Sequence, residues 1–327
     1  VNVSSASAES LRAALAGLLD GLPPSQTTKA VDRLIAHYRG TTPTDAPVLR
    51  DRSDVAAYAA YRMPATFEAA RGALEALWAA APEWTPGTHT DVGGGTGAAS
   101  WAVADVWEGG PRSTVLDWAE PALALGRELA DGVLDAAWRR ERIGTALRLD
   151  ETDLVTVSYV LKELTEGDRT ALVAEAARAA RGAVVVVEPG TPDGYERIIA
   201  ARSVLIDAGL TVAAPCPHSG ACPIEPGTDW CHFSARVSRS SLHRKVKGGS
   251  LPYEDEKYAY VAATRFPVRP APGRVVRRPQ IRKGLVLLDL CAPEGLGRET
   301  VTKRHGPLYK RARDAEWGDS WPPADQD

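Results

Sequence analysis

The 327-residue sequence is 44% hydrophobic and 25% charged and carries a net charge of −3. That composition is globular, and the length allows one large domain or two ordinary ones. No apolar run approaches the roughly 18 residues that a membrane helix requires, which excludes a chain built on membrane-spanning helices and makes a soluble protein the expectation.

Residues 1–85 are rich in Ala and Leu at helical spacing, in SAESLRAALAGLLDGL, TTKAVDRLIAHYRG and SDVAAYAAYRMPATFEAARGALEALWAAA. They read as a helical N-terminal subdomain. Ser7 or Ser10 is expected to cap the first helix and the Pro23-Pro24 pair to end it. Tyr61 and Arg62, in AYRMP, are expected in ordinary helix packing. The first residues lack the basic start and continuous apolar stretch of a signal peptide, so a cytoplasmic address is expected, where clustered cysteines suggest metal ligation before disulfides.

Residues 86–212 alternate strands and helices. THTDVGGGTGAASWAVADVW reads as a strand, a glycine turn and a helix; STVLDWAEPALALGRELA, DLVTVSYVLKELTEGDRTALVAEAARAA and GAVVVVEPGTPDGYERIIAARSVLIDAGL repeat the unit. Apolar strands joined by helices of ten or more residues indicate a doubly wound, Rossmann-like α/β sheet. After Leu210 no further helix is expected. Residues 213–327 read as a cysteine-rich, basic extension that completes the sheet, with strands in KYAYVAATRF and GLVLLDLC and a Pro/Arg-rich stretch between them.

The modest net charge hides an asymmetry. Val1–Cys231 holds 20 basic against 31 acidic residues, His232–Arg313 holds 19 against 6, and the last fourteen residues carry −5. A basic segment inside an acidic chain suggests a polyanionic partner, most simply nucleic acid, with a solvated surface as the plain alternative.

Two constellations carry chemistry. Asp91-Val-Gly93-Gly-Gly95-Thr-Gly97 follows a strand and precedes a helix, and its D-x-G-x-G-x-G spacing is the first motif of S-adenosylmethionine-dependent methyltransferases rather than the dinucleotide pattern G-x-G-x-x-G. Asp117, ending the next strand, suits two neighbouring ribose hydroxyls. Ser158-Tyr159 stands where amino-methylating enzymes carry Asn/Asp-Pro-Pro-aromatic, so no catalytic residue is assigned; Glu163 and Glu188 lie near strand ends without a named role. The second constellation is Cys216-x5-Cys222-x8-Cys231 and, sixty residues on, Cys291. By count, four thiolates suit zinc or an iron–sulfur cluster equally. The absence of tight C-x2-4-C knuckles and the Cys-Pro pairs at 216–217 and 222–223 favour the cluster, with zinc, free structural thiols and the neighbouring His218 and His232 as alternatives.

The stretches AAYAAYRMPATFEAA, DVGGGTG, VSYVLKEL, VEPGTPDGY, APCPHSGACP, DWCHFSARVSRSSLHRKVKGG, YEDEKYAY and WGDSW together resemble the methyltransferase-like proteins associated with the small ribosomal subunit, known from bacteria and as mitochondrial assembly factors. The resemblance implies a class I methyltransferase fold and binding to small-subunit ribosomal RNA during assembly. It also implies a 4Fe-4S cluster on Cys216, Cys222, Cys231 and Cys291. S-adenosyl-L-methionine would lie on Asp91, Gly93, Gly95, Gly97, Asp117, Ser158 and Tyr159. RNA contacts are then expected from Arg236, Arg239, Arg244, Lys245 and Lys247 after the third cysteine, and from Arg274, Arg277, Arg278, Arg282 and Lys283 before the fourth. A monomer is the expected state.

Overall fold

The apolar runs identified above lie side by side in one sheet. In the computed structural model, which describes residues 6–20, 25, 28–30, 32, 52–225, 227–238 and 252–323, β1 (Thr88–Val92), β2 (Arg112–Asp117), β3 (Ala136–Arg140), β4 (Thr152–Ser158) and β5 (Ala180–Pro189) are parallel neighbours in the order β3-β2-β1-β4-β5. The order continues through β8 (Tyr253–Thr264) to β6 (Thr211–Ala214), and β8 runs antiparallel to both β5 and β6. This is the doubly wound sheet with one antiparallel strand that a class I methyltransferase-like fold requires. VVVV at 184–187 is buried throughout, as expected for a strand covered on both faces.

The chain keeps its turns with local devices. Thr165 caps α5 (Glu166–Ala179) by accepting from the Asp168 N–H, and Thr191 caps α6 (Pro192–Asp207) by accepting from the Gly194 N–H, with Pro192 in the first turn. On one face of the sheet lie α1 (Ala6–Asp20), α2 (Arg52–Ala80), α3 (Ala98–Val106) and α4 (Glu120–Ala130), around a core that includes Met63, Leu74, Trp101 and Leu125. On the other, α5 and α6 cover Val155, Val157, Val184 and Val186.

β8 is long enough to serve two purposes. Its second half joins the main sheet, while its first half pairs with β7 (Phe233–Ser238) on the side where β6 pairs further along. The cysteine-bearing loop between Ala214 and Phe233 therefore leaves and rejoins the same edge. A second, five-stranded antiparallel sheet follows, from β9 (Gly273–Val275), β10 (Gln280–Arg282), β11 (Leu285–Ala292), β12 (Gly295–Thr302) and β13 (Ser320–Trp321). Its small core gathers Val275, Val286, Leu288, Val301, Ala312 and Trp321.

Three expectations need correction. Ser7 and Ser10 lie inside α1 rather than at its cap; the Ser7 hydroxyl donates to the Ala104 carbonyl at 3.4 Å and ties α1 to α3. Helices do not stop at Leu210, because α7 (Pro307–Asp314) packs Ala312 into the small core. Its sequence, PLYKRARD, is too short and too charged for apolar periodicity to reveal it. The C-terminal region does more than complete the first sheet, since it builds a sheet of its own. Most of the expected helix in TTKAVDRLIAHYRG lies outside the described residues.

Candidate functional site

The glycine loop crosses the carboxyl end of β1. Gly93 and Gly97 have φ of 69° and 84°, and a Cβ on them would stand 2.7 Å from Val160 Cγ2 and 2.6 Å from the Trp138 ring. Only glycine meets both the left-handed backbone and the close approach. Asp91 lies beneath the loop and fully buried: its carboxylate accepts from the Thr156 hydroxyl at 2.9 Å and the Ser100 hydroxyl at 3.1 Å. It thus braces the loop from below. Asp117 holds it from the side, accepting from the Gly95 N–H at 2.9 Å with one oxygen and from the Ala119 N–H at 2.8 Å with the other. Burial pushes its carboxyl up, against those two amide bonds. Trp118 follows directly and is 45% exposed, a broad apolar face next to Asp117 in the chain that no motif marked.

At the end of β4, Tyr159 has φ of 61°, the one non-glycine residue with positive φ among the described residues. Its hydroxyl donates to Glu256 on β8 at 3.3 Å, Arg62 on α2 pairs with the same carboxylate at 3.0 Å, and the Arg62 guanidinium lies 5.7 Å above the Tyr159 ring. Arg62 therefore has a role beyond helix packing. Ser158 Oγ is buried with no hydrogen-bond partner among the described residues. Glu163 is exposed beside this end of the sheet, whereas Glu188 is wholly buried, accepting from the Leu161 N–H at 3.0 Å and pairing with Arg197 at 2.7 Å.

The four cysteines come together. Cys216, Cys222 and Cys231 from the edge loop and Cys291 from β11 line one cavity of about 30 Å³, with Tyr195, Arg202 and Arg274 in its wall. All four thiols are free. Burial pushes the Cys216, Cys231 and Cys291 thiols up, the last to about 12; neighbouring thiols push the same way and nearby arginines oppose them. Among the described residues no three His, Cys, Asp or Glu side chains are placed to share a single metal ion.

The loop is held by residues whose role was hidden in the sequence. The Tyr195 hydroxyl lies 3.2 Å from Cys222 Sγ, and Arg202 donates to the carbonyls of His218 and Gly220 at 2.8 and 2.7 Å. Arg274, paired in register with Cys291, reaches across to the Pro215 carbonyl at 2.9 Å and the Gly318 carbonyl at 2.9 Å. Trp230 donates to the Gly190 carbonyl at 3.0 Å and stacks on His232, whose other neighbour is Trp317. His232 thus serves as packing between two indoles.

The basic residues divide. Arg274 is 6% exposed and bonded to main-chain carbonyls, so it is not part of a cationic surface. Arg277 is spent on Asp229 and the Trp230 carbonyl. Arg278, Arg282 and Lys283 are exposed; Arg236 is exposed too, with its guanidinium 4.3 Å from the Tyr253 ring centre. Arg239, Arg244, Lys245 and Lys247 lie outside the described residues. Lys303, Arg304, Lys310 and Arg313, which no motif marked, are exposed at and just before α7.

Residues 52–322 match the model of a family described as mitochondrial small ribosomal subunit Rsm22. The chain belongs to the Rsm22 family. This is the family kind that the motifs resembled. The human mitochondrial ribosome assembly protein METTL17 is 28% identical over 292 residues, covering 81% of this chain and 62% of the human protein. The mitochondrial ribosome assembly protein RSM22 of Saccharomyces cerevisiae is 22% identical, covering 43% of this chain and 38% of the yeast protein. The chain thus spans about three-fifths of the human relative and less of the yeast one. Among solved structures, a putative RNA methyltransferase from Pyrococcus horikoshii aligns at 15% identity and a TM-score of 0.40, over 71% of this chain and 97% of that one. The expected cytoplasmic address is overturned, because the Rsm22 family and these relatives are described as mitochondrial. That expectation rested on the composition of the first residues, which does not report a compartment.

Proposed function

We propose that this Rsm22-family protein is an S-adenosylmethionine-binding, methyltransferase-like factor for assembly of the small ribosomal subunit, binding its ribosomal RNA through a basic C-terminal sheet that a 4Fe-4S cluster ties to the main sheet. The observation that carries this reading is the single cavity on which all four cysteines meet, since its walls come from both sheets. The donors fit such a cluster: four soft thiols, no carboxylate or imidazole in the lining, and Arg202 and Arg274 beside them to offset the charge of four thiolates. With four thiolate ligands the cluster has no open iron, so its contribution is structural. The cofactor pocket is supported by the loop at Gly93, Gly95 and Gly97, by Asp117 and by the exposed face of Trp118. The ribosomal partner is supported by the description of the family and by the names of the human and yeast relatives.

Anaerobic purification should give a brown protein with broad absorbance near about 400 nm and about four irons per chain. Stoichiometric zinc without iron would remove the cluster from the proposal. Titration calorimetry with S-adenosylmethionine should show binding that is lost in Asp117→Ala. Crosslinking to RNA in cells, followed by sequencing, should recover small-subunit ribosomal RNA.

A non-catalytic factor that keeps the fold as a scaffold is the second reading, and Tyr159 favours it. Where an acceptor would be oriented, the ring and hydroxyl are already engaged by Arg62 and Glu256. Transfer of labelled methyl groups from the cofactor to ribosomal RNA would decide against it.

A further inference from the structure

A cleft of about 350 Å³ opens between α5 and α6, in the helical layer on the far side of the sheet from α2. Neither the glycine-loop pocket nor the thiol cavity accounts for it. Its floor is apolar, with Leu161, Val173 and Ala201 buried. Two arginines stand in its walls, and both are fixed through Nε. Arg197 donates from Nε to Glu188 at 2.7 Å, and Arg169 donates from Nε to the Leu161 carbonyl at 2.7 Å. Among the described residues the Nη atoms of neither arginine form a hydrogen bond, although the Arg197 side chain is only 12% exposed. Guanidinium groups held in this way are preorganised to receive a planar oxyanion.

The rim decides which oxyanion. Glu166, Asp193 and Glu196 line the cleft and are exposed, and among the described residues none of them pairs with Arg169 or Arg197. Three carboxylates would repel a phosphodiester chain but would attract Lys or Arg on either side of a single carboxylate. The apolar floor has room for one aliphatic side chain. We propose that the α5–α6 cleft is a docking site for a basic peptide segment that presents one carboxylate, as its chain end or as an acidic side chain, to Arg169 and Arg197. The partner is therefore a protein of basic character, met on a face distinct from the exposed cations of the C-terminal sheet.

Fluorescence anisotropy with the full chain tests this, using three labelled peptides: Lys-Lys-Ser-Leu with a free carboxylate, its C-terminal amide, and the amide of Lys-Lys-Asp-Leu. Either carboxylate-bearing peptide should bind at least about tenfold more tightly than the plain amide, the loss expected when a charged hydrogen-bonded group is removed. Which of the two binds identifies the source of the carboxylate. Arg169→Gln should abolish the difference. Glu196→Lys, on the exposed rim, should weaken binding several-fold at unchanged melting temperature, so the test survives if Arg169→Gln fails to fold. Equal binding of all three peptides, no binding of any, an unchanged Glu196→Lys, or displacement by an oligouridylate would each overturn the proposal.

Discussion

His89, Thr156 and Asp91 form a buried polar chain under the glycine loop. Thr156 donates to Asp91 at 2.9 Å, so its oxygen is left to accept from His89 Nε2 at 2.8 Å, and His89 Nδ1 accepts from the Ser113 hydroxyl at 3.0 Å. Burial moves the two titratable ends in opposite senses: the Asp91 carboxyl goes up to about 6 from 3.8, and the His89 imidazole goes down to about 3 from 6.5. Asp91 holds its proton more tightly when folded, so it adds stability as pH falls from 6 toward 4. His89 resists its proton when folded, so it removes stability as pH falls below 6.5. Asp91→Asn should therefore make acid unfolding steeper. Its stability relative to the native protein, measured by denaturant titration, should fall by about 2 kcal/mol between pH 7 and pH 4, at about 1.36 kcal/mol per pKa unit. Gly97→Ala should cost about 1–3 kcal/mol, from positive φ and the clash with Trp138. The spacing of Asp91 and its glycines was legible in the sequence because the loop needs those residues locally. That Asp91 works from beneath was not, since its partners Ser100 and Thr156 reach it from α3 and β4.

At the scale of elements, the edge loop with Cys216, Cys222 and Cys231 is bound to three neighbours: to α6 through Tyr195 and Arg202, to the β5–α6 turn through Trp230, and to the second sheet through Arg274. Arg274→Met keeps most of the side-chain volume but strands the Pro215 and Gly318 carbonyls. It should cost about 3 kcal/mol and lower amide protection in both β9 and the loop, read by hydrogen exchange. Trp230→Ala should leave the main sheet intact while raising exchange across residues 216–225. The parallel core was readable because VTVSYVL and AVVVVEP announce strands buried on both faces. The gathering of Arg274, Trp230, Trp317 and Cys291 was not readable as geometry, because Trp230 and Trp317 lie in irregular stretches and Arg274 and Cys291 meet only through the pairing of β9 with β11.

For the whole molecule, the basic segment resolves into two populations of cations. Arg274 and Arg277 are bonded within the fold; Arg236, Arg278, Arg282 and Lys283, with the cations near α7, face solvent. Replacing Arg278, Arg282 and Lys283 together by Gln should weaken RNA binding and lower the slope of log affinity against log salt by about 2–3, with little change in stability.

The path of β8 divides the four thiols between two sheets. Because β6 and β7 both pair with this one strand, the loop between them is pinned at its two ends to the edge of the main sheet. Cys216, Cys222 and Cys231 all belong to that loop. Cys291 belongs to the other sheet, on β11 beside β9. Any group that requires all four thiols therefore requires both sheets to be in place at once.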